Sequence, residues 1–287
     1  MAVVATGFFD GVHLGHRKVI ETLVRTARLR GEESFVITFW PHPRTVLQND
    51  ARSLRLITSL DEKKALLLSL GVDRVEVLPF SKDFAAKTAD SYLQMLKSVY
   101  NASALVLGYD NRFGSDGRRT SEIVALAEEM ALEAFVVPAC DDVLYSGGTA
   151  VSSTMIRRAI ADGDIERASA MLGRPYMLHG VVVAGKQLGR TIGFPTANMQ
   201  MYEPLKILPA RGAYITKVVV LGKEYDGMTN VGDIVETHIL GFDEDIYGLD
   251  IILRFVSRIR DEKRFDSVDE LKSQLEEDKR NILLSLR

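Results

Sequence analysis

Two histidines three positions apart, His13 and His16, stand in a glycine-rich stretch, Gly7-Phe8-Phe9-Asp10-Gly11-Val12-His13-Leu14-Gly15-His16. An imidazole can donate a hydrogen bond to an anion or carry a proton near neutral pH. Their spacing lets both aim at one group. Gly7, Gly11 and Gly15 permit tight turns and close approach of a ligand to the main chain. The stretch lies between an apolar run, residues 2–5, and an amphipathic run that opens at Arg17. It therefore reads as strand, turn and helix start. A helix N-terminus offers unpaired N–H groups and the positive end of the dipole, which suits phosphate. Gly7, Phe9, Asp10, Gly11 and Gly15 are thus read, with the two histidines, as phosphate-binding positions. The spacing is neither a Walker loop nor a G-x-G-x-x-G fingerprint. A plain turn with two solvated histidines is the bland alternative. Glycines and histidines interleaved where an open sheet binds its ligand argue against it.

A second anion cradle is expected at Ser152-Ser153-Thr154, followed by Arg157. Hydroxyls at a helix N-terminus can accept from its free N–H groups, and the arginine adds charge. Other loops carry less specific signals. Trp40-Pro41-His42-Pro43-Arg44 is a proline-stiffened turn that projects His42. Gly108-Tyr109-Asp110-Asn111-Arg112-Phe113-Gly114 offers Arg112 for a phosphate and Phe113 for a ring, and residues 115–119 after it read as a polar, mobile loop. Gly185-Lys186 opens a flexible basic loop that could lie over phosphates. Pro195-Thr196-Ala197-Asn198 reads as a turn with a hydroxyl and an amide oxygen, hard donors suited to Mg²⁺ shared with nucleotide phosphates. Glu236, taken alone, is a surface residue at the start of a strand.

The elements that must position these residues change character midway. Short apolar runs at residues 3–5, 35–39, 75–78, 104–107 and 135–137 alternate with helical patterns, which calls for a parallel sheet buried on both faces. Gly31 closes the first helix. Ser59 with Glu62 reads as a capping box, and Thr88 and Thr120 as further N-caps. A helix pair linked by Asp162-Gly163-Asp164 follows. Beyond Tyr176, strand patterns at residues 178–184, 213–220, 224–230, 235–240 and 249–256 succeed one another without long helices. That suggests an antiparallel sheet closed into a small barrel. Ser267 and Glu270 open a terminal helix with Leu271 and Leu275 on its buried face. The fold expected is an α/β Rossmann-like domain, residues 1–172, followed by a small antiparallel β-barrel domain with a C-terminal helix, residues 173–287.

The chain has 287 residues, and its 36 basic side chains against 39 acidic ones give a net charge of −3, so no basic excess points to nucleic acid. No run is long and apolar enough to span a bilayer. One cysteine, Cys140, excludes an intramolecular disulfide, argues against a structural zinc site and fits a reducing, cytoplasmic compartment.

The His-x-Gly-His pair resembles the nucleotidyltransferase superfamily. Together with Phe39–Pro43, Gly108–Gly114, Ser152–Arg157, Gly173-Arg174-Pro175-Tyr176, Gly189–Asn198 and Glu236-Thr237-His238-Ile239, it resembles the prokaryotic FAD synthetase family over essentially the whole chain. These are bifunctional riboflavin kinases/FMN adenylyltransferases. The resemblance implies riboflavin, FMN and ATP as small-molecule partners, Mg²⁺ as cofactor, and FMN and FAD as products. It implies that Thr196 and Asn198 hold Mg²⁺ and that Glu236 is the base. Gly185, Lys186 and Gly193 would bind ATP, and His42, Pro43, Asp110, Arg112 and Phe113 would meet the flavin. His13, His16 and Arg157 would act on the second ATP. There are two departures. The family usually has Asn where Phe8 stands, so no polar role is carried to that position. It also has an Arg-Pro-Thr loop between Asn230-Val231-Gly232 and the base, where only Asp233, Ile234 and Val235 intervene here. Because the motifs on both sides are intact, residues missing between Gly232 and Asp233, or a mobile segment there, are expected.

Overall fold

A computed structural model describes residues 1–47, 54–140, 150–185 and 188–285. They form two compact units, Met1–Ser153 and Thr154–Arg287. The helix pair after Ser153 packs with the barrel: Ala210 N–H donates to Ile160 O at 3.2 Å, and Gly163 lies against Arg258 and Tyr214.

In the first unit, strands β1 (Ala2–Thr6), β2 (Glu33–Trp40), β3 (Arg74–Pro79), β4 (Ala102–Gly108) and β7 (Glu133–Val137) form a parallel sheet in the order β3-β2-β1-β4-β7. Helix α1 (Leu14–Arg30) buries Val19, Ile20, Leu23 and Val24 against one face, which Val3, Ala5, Val36 and Val106 supply. Helices α5 (Ala89–Tyr100) and α6 (Thr120–Glu129) cover the other, where Val4, Phe35, Ile37, Leu105 and Leu107 project. Odd and even positions of β1 thus feed different cores, which is why the strand is apolar throughout. The chain passes from β1 to β2 on one side and returns to β4 on the other. The end of β1 is therefore a topological switch point, where such sheets bind ligands.

The expected caps hold at α3 (Leu60–Ser69), where Ser59 and Glu62 form a capping box, and at α5, where Thr88 Oγ1 accepts from Ser91 N–H. Thr120 does not cap α6. Its hydroxyl lies within 3.2 Å of the Gly108, Tyr109 and Asn111 carbonyls, while the Arg119 N–H is met by Glu122. The loop expected to be mobile is a tied hairpin of β5 (Arg112–Phe113) and β6 (Arg118–Arg119). Asp116 accepts from Ala89 N–H, and Ser115 N–H donates to Lys87 O. Short helices α2 (Pro43–Leu47) and α4 (Lys82–Ala85) follow β2 and β3.

The second unit begins within the first turn of α7 (Ser153–Asp162), which is joined to α8 (Ile165–Leu172) through Gly163 as expected. Strands β8 (Met177–Val183), β9 (Ala197–Met201), β10 (Gly212–Val220), β11 (Lys223–Val231), β12 (Val235–Ile239) and β13 (Asp250–Asp261) close an antiparallel barrel in the order β10-β11-β12-β9-β8-β13. Strand β9 is absent from the sequence reading, which makes its first residues part of a turn. A short helix, α9 (Leu188–Thr191), precedes it. The terminal helix α10 (Val268–Ser285) lays Leu275 and Ile282 on Phe194, Ile215 and Met228. It is further fixed by Asp278, 1% exposed, whose carboxylate meets Arg260 Nε at 3.0 Å.

Ile215 and Met228 face that helix, so residues of opposite parity face the barrel interior. There, Thr229 Oγ1 bonds to Thr216 Oγ1 at 2.8 Å and to Thr237 Oγ1 at 2.9 Å, a hydroxyl ladder across β10, β11 and β12 buried from water. Hydroxyls left without partners in such a place destabilise, whereas removing all of them together leaves none unpaired. Thr229→Val is therefore expected to lower unfolding free energy by about 1–3 kcal/mol. The Thr216/Thr229/Thr237 triple valine variant should recover much of that loss in the same denaturant titration. A triple variant weaker than the sum of the singles would contradict the ladder.

Candidate functional sites

In the first unit, the turn after β1 is held under backbone constraint. Phe9 and Val12 take positive φ values of 52° and 42°, beside Gly11 at 82°. Strain of this kind persists only where the surroundings impose it. Here Asp10 imposes it. Its buried carboxylate accepts from Ile57 N–H at 3.1 Å, Thr58 N–H at 3.0 Å and the Thr58 hydroxyl at 3.2 Å. Gly11 N–H donates to Thr58 Oγ1, and Ser153 Oγ donates to Asp10 O, both at 3.0 Å. Asp10 thus ties three segments together. The carboxylate is turned inward and serves the turn.

His13 caps α1, its Nδ1 accepting from His16 N–H at 3.4 Å. When neutral, the ring then carries its proton on Nε2. The two imidazoles stack with centroids 3.6 Å apart. A Cβ at position 15 would sit 3.2 Å from the His13 ring, so glycine there leaves room for the stack. His16 is half-buried, yet its Nδ1 is fully buried with no hydrogen-bond partner. Burial, then His13, then Lys63 hold its pKa well below 6.5, so it is neutral at pH 7.

Residues that the sequence reading passes over complete the neighbourhood. Lys63 of α3, 2% exposed, donates to Phe8 O at 2.9 Å and lies 4.0 Å from the Phe8 ring centroid. The Phe8 ring meets His42 at 4.1 Å. Thr6 Oγ1 bonds to Tyr92 OH at 2.6 Å, and Tyr92 belongs to a half-open aromatic cluster with Phe39, Phe84 and Phe113. Phe113 is packed in that cluster, whereas Asp110 and Arg112 are exposed, and His42 and Pro43 are half-buried. Gly7 lies against the Phe9 ring. Ser152 and Ser153 end this unit, while Thr154 and Arg157 belong to the second, on α7.

In the second unit, β12 pairs with β9 so that Glu236 stands directly opposite Asn198, and with β11 so that Glu236 stands opposite Asn230. Directly opposed residues share a face with Cβ atoms about 4.5–5.5 Å apart. Asn198, Glu236 and Asn230 therefore form a row across three strands. The row lies on the outer face with Met228 and His238. Asn198 is only 5% exposed, and its Oδ1 is buried with no hydrogen-bond partner. A Cβ at position 185 would fall 1.9 Å from Asn198 Nδ2, so Gly185 is what lets the carboxamide lie there. His238 Nδ1 is 2.8 Å from Pro195 O. A carbonyl only accepts, so Nδ1 carries the proton and anchors the residue before Thr196. Thr196 itself is half-buried beside Gly189, and Gly193 closes the turn before Phe194 at φ 84°. Lys186 lies outside the described residues.

The expectation at Gly232 is overturned. The chain there is continuous. Val231 pairs with Val235, Gly232 N–H donates to Ile234 O at 3.2 Å, and Arg211 pairs with Asp233 and Glu262. Three residues suffice for the hairpin, because the ladder closes directly on both sides of it.

A family model described as FAD synthetase matches residues 1–155, and one described as riboflavin kinase matches residues 172–286. A Bacillus subtilis bifunctional riboflavin kinase/FMN adenylyltransferase is 34% identical over 296 residues, covering 98% of this chain and 92% of its own. The Escherichia coli K12 protein of the same name is 36% identical over 287 residues, covering 96% and 90%. The chain belongs to the bifunctional riboflavin kinase/FMN adenylyltransferase family. A solved Streptococcus pneumoniae structure, named a macrolide-efflux protein, is 33% identical with a TM-score of 0.90, covering 97% of this chain and 93% of that one. Among the described residues no helix is long and apolar enough to cross a membrane, and no three His, Cys, Asp or Glu side chains are grouped to hold a metal ion.

The Gly185–Asn198 contact can be tested directly. Gly185→Ala should drive the Asn198 carboxamide from its place and lower the unfolding free energy by about 1–3 kcal/mol, as overpacking does. A denaturant titration would measure this. Unchanged stability would mean that the close approach is incidental.

Proposed function

We propose that this chain makes FAD from riboflavin in two ATP-dependent steps, one in each half. The functional modules are residues 1–172, the FMN adenylyltransferase, and residues 173–287, the riboflavin kinase. In the kinase step, the riboflavin 5′-hydroxyl oxygen attacks the γ-phosphorus of ATP, its proton passes to the Glu236 carboxylate, and FMN and ADP leave. In the second step, an FMN phosphate oxygen attacks the α-phosphorus of another ATP, and FAD and pyrophosphate leave. That nucleophile is already anionic, so the site needs donors more than a base. His13, through Nε2–H, and neutral His16 would serve as those donors, beside the free N–H groups that open α1. Ser152 and Ser153 would add contacts to the triphosphate, and the aromatic cluster with His42, Pro43, Asp110 and Arg112 would receive the flavin.

The observation that carries the reading is the buried, unpartnered Asn198 Oδ1 opposite Glu236. An oxygen in that state is destabilising unless a ligand meets it. With Thr196 it supplies the hard donors that suit Mg²⁺. When bound there, the ion would neutralise charge on the ATP phosphates. Gly185, Lys186 and Gly193 would lie along the nucleotide. The near-neutral charge and single cysteine support a cytoplasmic enzyme whose partners are small molecules, with no nucleic acid or membrane involved. A flavin-binding protein that has lost turnover is favoured by one observation, the three-residue hairpin at residues 232–234 where the resemblance implies a longer loop.

Two sets of variants separate the halves. Glu236→Gln should lower FMN formation by roughly 10²–10⁴ and leave FMN-to-FAD conversion intact. His13→Ala and His16→Ala should lower FAD formation from FMN by roughly 10²–10³ and spare FMN formation. Steady-state rates with riboflavin or FMN as substrate decide the matter. A fully active kinase in the Glu236→Gln variant, or normal FAD formation without the histidines, would remove the assignment.

A further inference from the structure

Helix α3 lies beneath the β1–α1 turn, and its lysine occupies an unusual position there. Lys63 stands between Glu62 and Lys64 in a pattern that reads as a solvated helix face, yet it is 2% exposed. Removing an ammonium group from water is unfavourable unless it is paired and hydrogen-bonded. Lys63 has three compensations, all in or below the turn. It donates to Phe8 O at 2.9 Å, it lies 4.0 Å from the Phe8 ring centroid, and the Asp10 carboxylate is close enough to favour its charge. Phe8 occupies the place where Asn would follow the family pattern, and its ring is held between Lys63 and His42. Phe8 therefore contributes a carbonyl and a ring face, both directed at this cation.

The turn needs such a charge. His16 is neutral, and Asp10 places a negative charge under a site meant for a triphosphate. We infer that Lys63 is a positioning residue for adenylyl transfer: from beneath the turn it holds the Phe8 peptide in place and supplies fixed positive charge to a phosphate bound above. It does not touch the nucleotide. Its field acts through a water-poor interior, where a charge is felt more strongly than in solvent.

The inference rests on the reading of this turn as the adenylyl-transfer site, and it implies a pH dependence. The titratable groups around Lys63 are Asp10 and His13 of the turn, His16 of α1, and His42 beyond Phe8; Glu62, on its own helix, is turned to the Ser59 N–H. Burial lowers the Lys63 pKa to about 8, with Asp10 acting in the opposite sense. The charge is present below that pH and lost above it.

The test follows FMN-to-FAD conversion by the full-length protein from pH 6.5 to 9.5, with FMN formation from riboflavin as the folding control. The wild-type protein should lose FAD synthesis as pH rises through about 8. Lys63→Met should reduce FAD synthesis roughly tenfold to a hundredfold, less than the 10²–10³ typical of a donor that touches the reacting group. It should also abolish the limb near pH 8 and raise the pKa of His16, followed by NMR, because one of the causes depressing it is gone. FMN formation should be unchanged. Lys63→Arg, always charged, covers the case in which the Met variant unfolds: it should retain activity and lose the limb. If the Met variant has wild-type rates, if the limb survives in both variants, or if the His16 titration does not move, the inference is overturned. If the wild-type protein makes no FAD at any pH, it is the reading of the turn that fails.

Discussion

The Asp10 carboxylate is the interaction on which the first site depends. The turn after β1 places two non-glycine residues, Phe9 and Val12, at positive φ. Each such residue costs about 1–3 kcal/mol and persists only where its surroundings impose it. Asp10 meets the amides of Ile57 and Thr58, its own carbonyl accepts from Ser153, and Thr58 returns to Gly11. Segments distant in sequence are thereby fixed around one turn. The strain is held in order to bring the His13 and His16 rings into a stack at the opening of α1. Lys63 balances the arrangement from below, so a buried acid and a buried base flank the same peptide.

The second site follows the same logic with a different device. No strained turn is involved; strand register does the positioning. Pairing β12 between β9 and β11 brings Asn198, Glu236 and Asn230 into a row, which residues adjacent in sequence could not form in a strand. The opposite parity fills the interior with the threonine ladder, so one register sets both the polar core and the outer row. Register is well specified when both faces are committed in this way.

Chemistry is more legible in the sequence than geometry. His13 and His16 stand out because glycines punctuate them between an apolar strand and an amphipathic helix. The parallel sheet follows from five apolar runs spaced by helices, and the barrel from crowded alternating strands. Other features depend on contacts that no local pattern encodes. Strand β9 is hidden because Pro195, Thr196 and Asn198 read as turn residues, although Ala197, Asn198 and Met199 are all buried in it. Lys63 looks like any lysine on a helix until α3 is packed under the turn. Asp10 reads as a residue of the phosphate turn, and no local pattern shows that its carboxylate meets the amides of Ile57 and Thr58. Thr120 has the type of an N-cap but commits its hydroxyl to three carbonyls of the neighbouring loop. The hairpin at Gly232 reads as a gap only against the loop that the resemblance implies; the ladder itself closes over three residues.

The central claim is that one chain carries two working sites. It is tested most directly by incubating the purified protein with riboflavin, ATP and Mg²⁺ and separating the flavins by chromatography over time. FMN should appear first and FAD follow, with ADP and pyrophosphate as the released products. FAD formed only when FMN is added would contradict a working kinase, and no conversion of either flavin would contradict the account as a whole.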